Sequence, residues 1–238
     1  MLKITQLNKK FPSGFLLGPI NLEVQANDCI AILGHNGSGK TTLFQIITGN
    51  LDPSDGEVNL DSEKIFMDCF SIKKEIGYLP QNPALPKWIS GRELLNYISG
   101  LEQDDVYKSE NIQNLIDYWE CREFIDRPLE ACSHGMQKRI GLCIASLRKP
   151  KLMVLDEPFS GLDLNHTLRL VKLLQNRKIE GSPTIFSCHI PQYIAKLADW
   201  VYFLKNGSLI KAESWQGLDL LQRINVIEAH FSVNETAL

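Results

Sequence analysis

No apolar run in this 238-residue chain approaches the roughly 20 residues that a bilayer-spanning helix needs. The start, Met1-Leu2-Lys3-Ile4-Thr5-Gln6, has a polar residue at every second or third position, so it lacks the core of a secretory signal. Both absences imply a chain that stays in the compartment where it is made. The six cysteines (29, 69, 121, 132, 143 and 188) form no Cys-x-x-Cys pair. Reduced, mostly buried thiols fit that scatter better than a disulfide framework or a structural zinc site. Twenty-five Lys and Arg against 28 Asp and Glu leave a formal charge of -3, which excludes a strongly basic nucleic-acid footprint. There is no internal repeat and no low-complexity segment. With 44% hydrophobic and 22% charged residues, the chain is not collagen-like, coiled-coil or wholly disordered. Its length suits one large domain or two small ones with a substantial core.

Hydrophobic periodicity supplies most of what is there. Leu2, Ile4 and Leu7 alternate with polar neighbours, as do Ile20, Leu22 and Val24 after a turn, predicting half-buried antiparallel strands. Cys29-Ile30-Ala31-Ile32-Leu33 and Leu152-Met153-Val154-Leu155 are continuous apolar runs, as buried central strands require. Thr184 to Cys188 is a third such candidate. Shorter strands are expected at Glu57 to Leu60 and Ile76 to Leu79, the second running into a Pro-rich loop from Gln81 to Pro86. Helices are expected from Thr41, after Ser90 (where Glu93 completes a capping box), from Thr167 to Lys178 and near Gln192 to Ala198. The stretch from Ser90 to about Leu147 reads as mainly helical. Asn206-Gly207 between Val201–Leu204 and Ser208–Lys211 is a hairpin signal. Beyond Trp215 the periodicity is weak, apart from an amphipathic stretch around Leu218 to Ile227.

Gly34-His35-Asn36-Gly37-Ser38-Gly39-Lys40-Thr41, followed by Thr42, fits G-x-x-x-x-G-K-[ST] between an apolar strand and a helix. Glycines let the backbone wrap closely and turn its N–H groups inward. The helix start adds unpaired donors and a favourable dipole end for phosphate. Lys40 is placed to reach the β/γ-phosphates of a nucleotide, and the Thr41 hydroxyl to ligate Mg²⁺.

Asp156 and Glu157 follow the apolar strand 152–155 directly. In open α/β sheets, ligands bind beyond the carboxyl ends of the strands. Asp156 there could hold Mg²⁺ through water, and Glu157 could polarise an attacking water. His189, at the end of the third apolar strand, could reach a γ-phosphate from the same edge.

These pieces, in this order, resemble the nucleotide-binding subunit of an ABC transporter from Met1 to about Lys211. The most specific segment is Cys132-Ser133-His134-Gly135-Met136-Gln137-Lys138-Arg139, similar to the family signature Leu-Ser-Gly-Gly-Gln. Ser133 and Gly135 match, while Cys132, His134 and Met136 depart. The Ser-His-Gly-Met form is a familiar variant of export-type and ABC-2-type ATPases. The resemblance implies an α/β fold: a P-loop NTPase, RecA-like core with an N-terminal antiparallel β subdomain and an inserted α-helical subdomain. The whole of 1–238 is expected to form one ATPase domain, with the helical subdomain at approximately 85–148 and a C-terminal tail at 212–238.

The resemblance also assigns roles. Gln81 is similar to the Q-loop glutamine, which touches Mg²⁺ or the attacking water. Ser160-Gly161-Leu162-Asp163 resembles the D-loop that crosses the dimer interface. His189 resembles the switch histidine and Glu157 the catalytic glutamate. Phe11 aligns with the aromatic residue that stacks on adenine, with Phe15 close enough to be a rival. The implied cofactors are ATP and Mg²⁺. In the family, the segment containing Ser133, Gly135 and Met136 contacts the γ-phosphate held by the opposite subunit. The implied partners are therefore a second ATPase copy, with a homodimer favoured, and a separate transmembrane permease; no direct nucleic-acid contact is expected.

Cytoplasmic placement, peripherally bound to the inner face of the membrane, follows from that reading. Export is favoured over import. The other function class is a soluble ABC ATPase in translation or repair, against which stand the single cradle and the lack of room for a coiled coil. Trp88, Tyr97, Tyr107, Tyr118 and Trp119 lie in the insert, and the sequence does not separate core aromatics from any that meet a partner.

Overall fold

The structure, a computed structural model, describes residues 1–100, 108–212, 215 and 217–232. Tyr107 and parts of the C-terminal tail lie outside that set. The chain opens with β1 (Leu2–Lys10), β2 (Leu16–Val24), β3 (Cys29–Leu33) and α1 (Lys40–Ile47). Next come β4 (Asp55–Leu60), β5 (Glu63–Lys64), α2 (Phe70–Lys73) and β6 (Ile76–Leu79). A helical stretch contains α3 (Gly91–Gly100), α4 (Lys108–Tyr118) and α5 (His134–Ser146). β7 (Leu152–Leu155), α6 (Leu164–Ile179), β8 (Thr184–Phe186) and α7 (Pro191–Leu197) follow. The chain closes with β9 (Trp200–Lys205), β10 (Ser208–Lys211) and α8 (Leu220–Ser232).

The two alternating segments pair antiparallel, with Leu2 opposite Val24, Ile4 opposite Leu22 and Leu7 opposite Ile20. β1 also pairs with β4, so one sheet has the order β2-β1-β4-β5. Leu2, Ile4, Leu7, Leu17, Ile20, Leu22, Val24, Val58 and Leu60 of this sheet are buried, while Leu16 at the start of β2 is exposed, so period-2 alternation turns most of its apolar side chains inward. The other sheet has the order β10-β9-β3-β8-β7-β6. Ile30 and Ile32 of β3 pack into a core shared with α1 and the antiparallel sheet, while Ala31 and Leu33 enter a second core on the helical side. Leu152 and Val154 of β7 divide from Met153 and Leu155 in the same way. Both faces are covered, so these strands read as unbroken apolar runs.

β3, β6, β7 and β8 run parallel; β6, β7 and β8 end in step, and β3 runs two residues further. Leu79 lies beside Leu155, Leu155 beside Phe186, and Phe186 beside Ala31. The segments that follow all four strands therefore emerge along one edge of the sheet. β8 is shorter than the 184–188 expectation, because the chain leaves the ladder where Ser187 turns into that edge.

In the helical stretch, the Ser90 N–H donates to Glu93 Oε2 at 2.7 Å and the Glu93 N–H to Ser90 Oγ at 3.2 Å. That is the expected capping box, and it starts α3. Trp119 is fully buried and Tyr118 half-buried, whereas Trp88 and Tyr97 are 79% and 67% exposed. α6 starts three residues ahead of the Thr167 expectation, because Asp163 accepts from the His166 N–H and caps it. The tail is better anchored than its weak periodicity suggests. Trp215 is buried and its Nε1 donates to the Ala198 carbonyl at 2.9 Å, and Ile227 of α8 is also buried. All six cysteines are free, and only Cys69 is not fully buried. Burial pushes the Cys29 and Cys188 thiols up to about 12.

Candidate functional site

The site is built along the edge where β3, β6, β7 and β8 end. α1 begins at Lys40 with Gly39 as its N-cap, at φ +105 and without a side-chain cap. A Cβ at Gly39 would stand 3.0 Å from Leu17 Cδ1, so both the dihedral and the space call for glycine. Without a capping side chain, the first N–H groups of α1 remain available to an anion. The Ser38 hydroxyl is buried without a hydrogen-bond partner, a donor left over in a cradle of donors. Lys40 Nζ folds back onto the carbonyls of Gly34 (2.6 Å) and His35 (3.2 Å). Burial lowers the pKa of its ammonium below the ordinary lysine value, against the opposite pull of Glu157 and Asp156.

The Thr41 hydroxyl donates to Asp156 Oδ2 at 2.6 Å. The Ser187 hydroxyl donates to Asp156 Oδ1 at 2.6 Å and accepts from the Glu157 N–H at 2.8 Å. Ser187 thus fixes both acidic residues at once, and sequence reasoning passed over it. Its signal was position: a hydroxyl just past the end of a parallel strand, two residues before His189. Glu157 is 7% exposed and sits at φ +48, an unfavourable backbone for a residue with a side chain, costing about 1–3 kcal/mol. His189 Nε2 stands 2.9 Å from Glu157 Oε1, an ion-pair distance, although not aligned as a hydrogen bond.

These groups line one cavity of about 540 Å³. Asn36, Gly37, Gly39, Lys40, Thr41 and Thr42 form its floor, and Gln81, Asp156, Glu157 and His189 stand on its far side. Phe11, Ser13 and Phe15 close the remaining wall. The two phenylalanine rings have centroids 6.1 Å apart and planes tilted by 41°, and both line the cavity. Gly34, His35 and Ser38 are not among the lining residues. The Thr41 hydroxyl, the Asp156 carboxylate and Gln81 offer oxygen donors suited to a hard divalent cation. Among the described residues, no group of three His, Cys, Asp or Glu side chains could hold a metal ion. A Mg²⁺ here would therefore take most of its ligands from phosphate and water, as that ion commonly does.

Lys138 was also missed from sequence. It is fully buried on α5, and its Nζ donates to the Gln81 carbonyl at 3.0 Å. Burial lowers its pKa to about 8, with Asp156 and Glu157 pulling the other way.

Ser133, Gly135, Met136 and Asp163 lie outside the cavity. Ser133 is the N-cap of α5: its Oγ accepts from the Met136 N–H at 3.3 Å, and its own N–H points to Met136 Sδ at 3.3 Å. Asp163 caps α6. Within one chain, these four residues do not meet the groups around Lys40 and Glu157.

A profile described as "ABC transporter" matches residues 17–160. The uncharacterized ABC transporter ATP-binding protein YxlF of Bacillus subtilis is 33% identical, over 91% of this chain and 70% of that protein. The lantibiotic transport ATP-binding protein SrtF of Streptococcus pyogenes is 28% identical, over 94% of this chain and 95% of that protein. Among solved structures, a dimeric post-hydrolysis state of the ATP-binding cassette MJ0796 bound to ADP and Pi superposes with a TM-score of 0.81. It is 20% identical, over 92% of this chain and all of that one.

Proposed function

This chain belongs to the ABC transporter family, as one of its ATP-binding subunits, and from that premise we propose that it is a Mg²⁺-dependent ATPase that powers a separate membrane permease in the export direction. The observation that carries the reading is the single cavity shared by Lys40, Thr41, Gln81, Asp156, Glu157 and His189, with Ser133, Gly135 and Asp163 outside it. Half of a phosphate site converges, and the other half faces away. A second copy in antiparallel orientation supplies what is missing, so two copies bury two ATP molecules between them.

Lys40 and the N–H groups at the start of α1 hold the β- and γ-phosphates. Thr41, Gln81 and Asp156 would hold Mg²⁺, directly or through water, and the ion would supply screening of the phosphate charge. Glu157 accepts the proton of the attacking water as the water oxygen bonds to the γ-phosphorus and the bond to the β–γ bridging oxygen breaks. His189 orients Glu157 and donates toward the γ-phosphate. Ser133, Gly135 and the start of α5 from the other copy donate to the same phosphate, and closure keeps bulk water out. Phe11, with Phe15, stacks on the base.

The 1–238 stretch acts as one ATPase domain, with its helical subdomain at about 85–148 and its tail at 212–238. Among the described residues, no helix is long and apolar enough to cross a membrane. That supports a role at the cytoplasmic face beside a permease of another chain, with the exposed Trp88 and Tyr97 available to meet it. The Ser133-His134-Gly135-Met136 variant supports export.

The test is affinity capture from detergent-solubilised membranes with ATP and Glu157→Gln as bait. A co-purifying multi-span protein together with a trapped ATPase dimer is the expected result. Recovery of ribosomes or soluble proteins alone would overturn the transporter assignment.

A further inference from the structure

A second group of charged side chains, outside the cavity, joins the 160–163 turn to the helix that starts at the signature segment. His166, in the first turn of α6, is 6% exposed. Its Nδ1 stands 2.8 Å from each oxygen of Asp163. A carboxylate can only accept, so Nδ1 carries the proton. On the other side of the ring, Arg139 Nη1 of α5 lies 3.0 Å from Nε2. A guanidinium can only donate, so Nε2 accepts. The ring is held by partners on two different elements. Glu120 Oε2 is 3.4 Å from Nε2, and its carboxylate also pairs with Arg169.

The linkage continues on both sides. Arg139 Nη1 also donates to the carbonyls of Trp119 (3.3 Å) and Glu120 (3.1 Å). Arg169, one turn along α6, donates to the Tyr118 carbonyl at 2.8 Å, and the Tyr118 hydroxyl returns a bond to the Arg169 carbonyl at 2.7 Å. At the start of α5 there is no room for anything between the two segments. A Cβ on Gly135 would lie 2.7 Å from the Gly161 carbonyl oxygen, and one on Gly161 would lie 2.8 Å from the His134 ring.

A buried imidazole with both nitrogens paired is a geometrically demanding arrangement, and nothing in the cavity uses it. We infer that His166 is a positioning residue that locks the 160–163 turn onto α5, so that Ser133 and Asp163 are presented to a second copy's nucleotide as one rigid unit. The inference rests on the dimeric ATPase reading above for its consequence, but the lock itself is a property of the single chain.

Amide hydrogen exchange on the nucleotide-free protein tests the lock, comparing wild type with His166→Leu and His166→Gln. In the leucine variant, Asp163 still caps α6 through the backbone N–H of residue 166. A purely local role would leave everything outside α6 unchanged. The lock predicts exchange about tenfold faster at residues 160–162 and also across the contact at 135–137, the opening expected when one buried hydrogen-bonded link is removed. Glutamine, which keeps a donor and an acceptor, is expected to restore most of the protection. ATPase kcat should fall about tenfold in His166→Leu at unchanged ATP affinity, because the composite half of the site is misplaced and the cavity is not. His166→Ser, too short to reach Arg139, gives the same reading should the leucine variant not fold. Unchanged exchange at 135–137, or glutamine behaving like leucine, overturns the lock. A wild-type protein that shows the protection yet neither dimerises nor hydrolyses ATP counts against the dimeric ATPase reading instead.

Discussion

On the dimeric ATPase reading the starts of α1 and α5 both contact phosphate, yet they are built in opposite ways. α1 has a glycine cap at φ +105 and no side-chain acceptor for its first amides. It opens at the bottom of a cavity, with Lys40 and Thr41 on its first turn. α5 has a serine cap that satisfies the Met136 N–H, with Met136 sulfur facing the serine N–H in return. It opens on the surface beside the 160–163 turn. An uncapped start is tolerable where a bound anion takes over as the cap. A capped start keeps its shape alone and still has a hydroxyl proton to give. The first arrangement suits a chain's own nucleotide, and the second suits a nucleotide presented by another chain.

The largest expected effect breaks the first region only. Glu157→Gln should lower ATP turnover by about 10²–10⁴-fold, the range for loss of a general base, while ATP affinity stays within a few-fold. Phosphate release and equilibrium binding measure the two. Equal losses in both would show that Glu157 binds rather than reacts.

Ser133→Ala breaks the second region only. One copy should still bind ATP, because Ser133 does not line the cavity, but ATP-dependent dimerisation by light scattering in the Glu157→Gln background should weaken about tenfold or more, with a cap loss of about 0.5–2 kcal/mol in stability.

Lys138 joins the two regions, from α5 to the Gln81 carbonyl. Its folded-state pKa of about 8 lies below the ordinary lysine value of 10.5, so between those values the unfolded chain binds the extra proton. Wild-type stability, taken as its difference from Lys138→Met, should rise from about pH 8 to 10.5 and be flat below pH 8. Denaturant midpoints across that range are the measurement, and a flat difference would place the charge in a solvated setting.

The smallest effect sharpens the contrast. Sulfur is a weak acceptor, so Met136→Gln should strengthen the capping box by a few tenths of a kcal/mol, about 0.3–0.5, visible as a small rise in Tm.

Much of the fold was legible because its signals are contiguous. The alternation in β1 and β2, the unbroken runs of β3 and β7, and the Ser90–Glu93 cap each depend on neighbours in sequence, and each stands where expected. The 34–41 segment, Asp156, Glu157 and His189 were singled out because each follows a strand that the sequence marks, and Gln81 through the family resemblance. Ser187 and Lys138 were not, since their partners Glu157 and Gln81 lie 30 and 57 residues away, nor was His166, whose link to Arg139 spans 27 residues although Asp163 is only three away. The buried tail residue Trp215 was missed for the same reason: its anchor is the Ala198 carbonyl. Nor did the sequence distinguish Trp88 and Tyr97 from Trp119, because spacing along a helix does not say which neighbours arrive to cover it.

By itself the sequence determined the strand types, the phosphate-binding segment and the acidic strand end, because hydrophobic period and glycine content act over a few residues. The tertiary structure alone decided that four parallel strands end along one edge, so that residues from 36 to 189 surround one cavity, and that Ser133 and Asp163 stand away from it. Register across a parallel sheet is set by how both faces pack, and packing is a sum over contacts that sequence order does not contain.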